Sequence, residues 1–141
     1  LNYGGASVKE ISPGGTAGIL TSLDPSIVKS DQLVGSIIGL PGKLPDTLYE
    51  VTIVPHLLER VVGTQEELNV DPVKMNEVLM LNVNSAATVG IVTALKKNKV
   101  SCKLKIPICA EMGSRVTISR RVGNRFRLIG YGEIEEGKNS P

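Results

Sequence analysis

A chain of 141 residues has room for one domain or two small barrels, and 41% apolar against 21% charged residues excludes wholesale disorder. With no Trp, one Phe and three Tyr it lacks the aromatic platform on which single-strand base stacking depends, so Val, Ile and Leu must build the core, a composition that favours strands. The net charge of +2 hides segregation: 46–77 carry seven acids against two basic residues, whereas 96–127 carry ten Lys/Arg against Glu111 alone. That basic stripe reads as a polyanion footprint, a solvated strand face, or a face that meets an acidic neighbour.

Residues 1–20 break into short pieces: Tyr3-Gly4-Gly5, an apolar run over 7–11, Pro13-Gly14-Gly15, and a second run over 16–20. Each run is bounded by turn residues and predicts a short strand. Asp24-Pro25 supplies an N-cap and a first helical residue, so 25–29 predicts at most one helical turn. A strand is expected over 33–40. Three short strands cannot close a barrel, so the N-terminal module reads as incomplete.

Pro41-Gly42-Lys43-Leu44-Pro45 then separates two strand-like runs. Pro45 cannot donate to a ladder, and two prolines so spaced favour a stiff, extended strut between two β modules over a tight turn. Beyond it Tyr49, Val51 and Ile53 alternate with Glu50 and Thr52, predicting a half-buried strand over 48–54. The run 57–62 fits a strand or a turn of helix, and Thr64-Gln65-Glu66-Glu67 has the pattern of a capping box cut short by Asp71-Pro72. Strands are expected over 77–83, 88–95 and 100–106, joined by Asn84-Ser85 and Lys96-Lys97-Asn98.

Gly123-Asn124 between alternating runs predicts a two-residue hairpin joining 116–122 to 125–134. That register sets Val122 opposite Arg125, Arg120 opposite Arg127 and Ile118 opposite Ile129. Like charges placed opposite are destabilising, so carboxylates or phosphates are expected among Arg120, Arg125 and Arg127. The polar tail 137–141 is expected to fray.

Catalytic motifs are missing: no GxxxxGK[ST], no GxGxxG after a strand, no HExxH, and His56 is the single histidine. Cys102 and Cys109 are spaced neither for zinc nor as CxxC and read as buried free thiols. No apolar run of about 18 residues and no signal peptide occurs, which points to a soluble cytosolic chain, and Leu1 in place of Met points to a fragment.

Pro13-Gly14-Gly15, Thr21-Ser22-Leu23-Asp24-Pro25, LVGSIIGLPGKLP, HLLERVVGT, NEVLMLNV, PICAEMGSRV and SRRVGNRFRLIGYGEI follow one another along nearly the whole chain. In these stretches the sequence resembles the gamma subunit of archaeal and eukaryotic translation initiation factor 2. The strand, Pro-Gly-x-Leu-Pro, strand pattern is similar also to elongation factor Tu and the selenocysteine-specific elongation factor, within the superfamily of translational GTPases.

The resemblance implies an all-β chain: a C-terminal antiparallel β-barrel of the translation-factor domain III type, preceded by an incomplete β-barrel, the second half of domain II. Residues 1–43 would end domain II, 44–47 would be a Pro/Gly linker and 48–136 would be domain III. The chain itself would be non-catalytic and hold no cofactor or metal. Its parent would be a cytoplasmic GTPase using GTP and Mg, and would carry methionyl initiator tRNA to the small ribosomal subunit. It would do so as the central member of a heterotrimer with alpha and beta subunits. By the similarity to elongation factor Tu, Thr16 and Leu20 align with that factor's pocket for the aminoacyl end of tRNA, although Thr16 replaces an amide residue there; a plain barrel strand with Ile19 or Leu20 inward is the alternative. Arg60 reads as an RNA contact or as the partner of Glu59 or Glu66. Arg120, Arg121, Arg125 and Arg127 read as contacts with RNA or with the parent's own GTP-binding domain. The competing readings are domains II–III of another translational GTPase and a free-standing RNA-binding β-barrel.

Overall fold

The computed structural model describes residues 1–29, 31–63 and 68–141. The chain divides into two compact units, Leu1–Leu33 and Val34–Pro141.

In the first unit the strands β1 (Asn2–Tyr3), β2 (Ala6–Ser7) and β3 (Ala17–Gly18) pair antiparallel in the order β2-β1-β3. The run 7–11 stops being a strand after Ser7, and the third strand comes from the chain start. The helix α1 (Pro25–Val28) is the single turn expected, with Asp24 Oδ1 accepting from the Ser26 amide at 2.8 Å. The Ser26 side chain and then the Ser26 amide, both bonding the charged carboxylate more strongly than the neutral carboxyl, hold Asp24 below its ordinary range. No described residue of this unit is buried.

The second unit is a closed six-stranded barrel of β4 (Thr47–Leu57), β5 (Val78–Val83), β6 (Ala86–Lys96), β7 (Lys99–Cys109), β8 (Arg115–Val122) and β9 (Arg125–Lys138). The order around the ring is β4-β7-β6-β5-β8-β9, with every neighbouring pair antiparallel. Period-two alternation turns Leu79, Leu81 and Val83 inward against Val116, Ile118, Val92 and Cys102. Closure leaves no strand edge unpaired, which removes the aggregation hazard of an open sheet.

Register shifts at four places, Leu48/Glu50, Thr52/Ile53, Val92/Ala94 and Ile118/Ser119, separate the strands from their simplest reading, and two of them move predicted residues. On β4 the register shifts between Leu48 and Glu50, so Leu48 is buried and Tyr49 only half-buried, where strict alternation from Val51 puts Tyr49 inward. On β7 the same shift leaves residues 104–107 without partners on β4. Buried Thr88 repairs it, its hydroxyl donating to the Ile106 carbonyl at 2.7 Å and accepting the Ile106 amide at 3.1 Å. On β9 the shift falls between Ile118 and Ser119 of the partner strand, so Ile118 lies opposite Gly130 and not Ile129. Ile129 is left over; its carbonyl accepts from the Leu58 amide at 2.7 Å, and its side chain is fully buried. Such bulges supply the bends that closure of a small barrel requires.

The expected strand over 33–40 does not form. Gly35 sits at φ +84°, outside extended backbone, and the run has turns and no ladder partner. The strut is also not extended: Pro41 and Gly42 occupy the centre of a tight turn, with the Lys43 amide donating to the Leu40 carbonyl at 3.0 Å. The chain then fastens to β7, Cys109 Sγ donating to the Pro45 carbonyl at 3.1 Å and the Ala110 amide to that of Asp46 at 3.4 Å. At the other terminus β9 runs to Lys138, whose ammonium pairs with Glu50 at 3.1 Å, so two residues expected to fray are held. The capping-box pattern at 64–67 lies outside the described residues.

Candidate functional site

Antiparallel connectivity decides what meets at each end of the barrel. β4 runs toward Leu57; Ile53 pairs with Val100 beside the β6–β7 turn, and Leu57 pairs with Gly130 on the way back to the β8–β9 turn. Both turns therefore share one end, together with the segment joining β4 to β5. The β5–β6 turn, next to Val83 and Val116, lies at the other end.

The β8–β9 turn is the two-residue Gly123-Asn124 connection predicted, with Gly123 at φ +63°. Positive φ at the first central position alone is the II′ pattern, whose twist matches that of the strands it joins. Arg120 lies opposite Arg127, and Val122 opposite Arg125, as the turn dictates. Arg120 also lies opposite Leu79 and so belongs to the inward row.

The anion that this like-charge pair demands is Glu77. The Arg120 Nε donates to Glu77 Oε1, and Nη2 donates to Glu77 Oε2 at 3.2 Å, a two-pronged grip. The same guanidinium reaches the carbonyls of Asp71 at 3.0 Å and Pro72 at 3.3 Å, tying the segment ahead of β5 to β8. Glu77 Oε2 also accepts the Lys74 amide at 2.9 Å. Burial pushes the Glu77 carboxyl up, but the bond from Arg120, the Lys74 amide and the charges of Arg120 and Lys74 outweigh it and hold the group below its usual range.

The other arginines are placed differently. Arg127 is half-buried and its guanidinium lies against Gly63, where an added Cβ would stand 2.9 Å from Nη1. Arg121 and Arg125 are exposed at the turn, Arg121 Nε donating to the Gly123 carbonyl at 3.2 Å. Arg60 is exposed and bridges Asn69 through the backbone; Glu66, one of its expected partners, lies outside the described residues. Of these four hairpin arginines, Arg120 and Arg127 are half-buried, whereas Arg121 and Arg125 are exposed. Thr16 and Leu20, in the first unit, flank β3; both are exposed in this chain, Leu20 to 97%.

The β6–β7 turn carries Lys96 and Lys97, exposed, with Lys96 directly opposite Lys99. Lys99 is relieved by Glu135 at 2.8 Å, and that bond raises its ammonium above the ordinary value. No carboxylate among the described residues pairs with Lys96 or Lys97. Reading single residues for arginine forks passed over these lysines; the signal was a like-charged pair across a turn, the same signal that announced Glu77.

Nucleophilic chemistry has little to work with. Cys102 is buried, and burial, with the charges of Glu50 and Glu77, pushes its thiol up to about 12, away from the reactive thiolate. Cys109 is free and spends its S–H on Pro45. His56 stacks on Tyr131 at 5.2 Å between ring centroids, with the Arg115 guanidinium 5.8 Å from the Tyr131 centroid, an outer-face cluster and not a catalytic dyad. No described helix is long and apolar enough to cross a membrane.

The barrel coincides with a family match. The model described as "Initiation factor eIF2 gamma, C terminal" covers residues 49–134, from β4 into β9. Among curated relatives, the translation initiation factor 2 subunit gamma of Pyrococcus furiosus is 55% identical over 136 residues, 96% of this chain and 33% of the relative. That of Thermococcus kodakarensis is 56% identical over 136 residues, again 96% and 33%. That of Methanococcus maripaludis is 54% identical over 134 residues, 95% and 33%. The chain spans about a third of the length of the curated relatives it matches. Identity at this level through barrel, strut and N-terminal unit together, and a family model over most of the barrel, lead to one conclusion: the chain belongs to the family of translation initiation factor 2 gamma subunits.

Proposed function

We propose that this chain is the non-catalytic C-terminal part of an initiation factor whose GTP-bound parent delivers methionyl initiator tRNA to the small ribosomal subunit in the cytoplasm. Residues 1–43 would close domain II, 44–47 would link, 48–136 would form domain III, and the parent would join alpha and beta subunits. GTP and Mg would belong to the parent's own GTP-binding domain. The observation that carries this reading is 55% identity over 96% of the chain to a protein named for that factor.

The residues have distinct parts in it. Arg120 and Arg127 serve the barrel end, since one is gripped by Glu77 and the other lies against Gly63. Exposed at the β8–β9 turn, Arg121 and Arg125 offer guanidinium nitrogens to RNA or a neighbouring domain, and exposed Arg60 stands at the same end. Thr16 and Leu20 keep the tRNA-end role only within a completed domain II, because the first unit buries neither.

The test is a chimera. The C-terminal third of the Pyrococcus furiosus gamma subunit is replaced by this chain, and binding of methionyl initiator tRNA is measured with a GTP analogue present. Retained binding is expected; loss of binding in a folded chimera overturns the assignment. Titrating the GTP analogue into the chain alone should give no heat, and tight binding would overturn its non-catalytic role.

A further inference from the structure

The barrel end that holds the Arg120–Glu77 grip also carries two hairpin turns whose cations are turned outward. Around the ring, β6–β7 and β8–β9 are separated by one strand on each side, β4 and β5, so their turns face each other across the mouth. At about 4.8 Å between strands and a tilt of about 40°, six strands give a mouth on the order of 12 Å across. One turn presents Lys96 and Lys97, the other Arg121 and Arg125, all exposed. Among the described carboxylates, Glu59, Asp71 and Glu77 stand on the segment between β4 and β5, and Glu135 on β9 pairs with Lys99; none stands on either turn.

Each feature narrows the partner. Lysines are depleted from protein–protein interface cores, whereas Lys and Arg on projecting turns are the usual means of gripping phosphates. Three Tyr and one Phe leave no platform for stacking unpaired bases. Carboxylates between the prongs repel a strand laid across the mouth but leave room for two phosphate rows that straddle it. A-form RNA presents such rows on either side of its wide, shallow minor groove and is recognised there by shape and backbone.

We infer that the β6–β7 and β8–β9 turns form a two-pronged clamp on the sugar–phosphate backbones flanking an RNA minor groove, with Lys96 and Lys97 on one prong and Arg121 and Arg125 on the other. The inference rests on the proposal that the barrel meets RNA, and adds the lysine prong and the duplex form of the ligand.

The experiment uses the whole chain and fluorescence anisotropy with a labelled RNA duplex of about 20 base pairs, beside a polyuridine strand of equal length, between about 50 and 200 mM salt. The duplex should bind more tightly than the single strand, with affinity falling linearly in log salt. Lys96→Glu with Lys97→Glu, and Arg121→Glu with Arg125→Glu, should each weaken duplex binding about tenfold and lower the salt slope by about two. Lys43→Glu, a charge reversal on the exposed Pro-Gly turn away from both hairpins, should change neither; thermal melts confirm that each variant is folded. Loss confined to the arginine pair, equal loss in Lys43→Glu, or tighter binding of the single strand would overturn the clamp and leave RNA binding standing. No duplex binding at the lowest salt would remove the RNA reading itself and point to an acidic protein surface.

Discussion

The two units of this chain have similar apolar sequences and opposite fates. From Val34 onward, sixteen apolar side chains sink to 7% exposure or less inside a closed ring of strands. Before it, three two-residue strands bury nothing, and Leu20, Ile19, Leu23 and Val28 stand in the open. Strand propensity is comparable in the two; closure is not. A ring satisfies every ladder hydrogen bond and gives each inward residue a wall on all sides, whereas three short strands offer one wall and no roof. Burial is thus a property of the completed topology, and a short run of Val, Ile or Leu foretells it only where the ring closes over it.

The contrast can be pressed hardest at Ile53. It is 1% exposed, and Ile53→Ala should lower stability by about 2–5 kcal/mol, seen as a drop in the urea midpoint with little change in slope. Gly132→Ala tests the same wall from the opposite strand: the added Cβ would stand 2.5 Å from Ile53 Cγ2 and 2.6 Å from the Val54 carbonyl. Backbone is one of the obstacles, so the loss should be at the top of the usual overpacking range, about 3 kcal/mol. If either substitution were neutral, the barrel would not be the tightly packed unit described.

Much of that wall was legible in the residues. Alternation marked the strands later found as β4 to β9, and Gly123-Asn124 placed Arg120 opposite Arg127. What escaped depends on pairing at a distance. The bulge that shifts Ile118 to Gly130 is set by barrel closure and leaves no local trace. Glu77 lies 43 residues before Arg120, and only the need for an anion between two arginines pointed to a partner, without naming it. The run over 33–40 had strand composition, but Gly35 took a positive φ and no edge was offered to it. Tyr49 lost its inward place to Leu48 because the register of β4 against β7 shifts between Leu48 and Glu50.

The Arg120–Glu77 grip is where the barrel uses charge in place of apolar packing. Arg120→Met should cost about 1.5–3 kcal/mol, since Glu77 would keep its half-buried carboxylate without its main partner. Adding Glu77→Met should recover most of that, because two apolar groups can pack where the ion pair stood. A double-mutant cycle in urea measures the coupling, and additive losses would show that the two side chains do not act together. The pair should also carry a pH signature. Glu77 is held below its ordinary value of 4.5 when folded, so its contribution is present at neutral pH and is lost as pH falls through the folded value. Acid destabilisation should therefore be steeper in the wild type than in Arg120→Met, and parallel curves would refute the link.

The smallest expected effect is the most informative about the first unit. Leu20 is 97% exposed, so Leu20→Ser removes almost no buried area and should shift the urea midpoint by less than about 0.5 kcal/mol. Deleting residues 1–33 should likewise leave the barrel's cooperative unfolding in place, because its sixteen core residues all lie beyond Val34. The same serine placed in the chimera with a full-length gamma subunit has a different expected result. If residues of the full-length subunit outside this chain cover Leu20, the substitution should become destabilising there by about 1–3 kcal/mol, as for any apolar side chain newly buried. A neutral result in both contexts would mean that Leu20 faces solvent or ligand even in the completed barrel, and that outcome favours the pocket for the aminoacyl end of tRNA over a packing role. Substitution at one residue, read in two lengths of chain, thereby separates a barrel wall awaiting its other half from a surface meant to stay open.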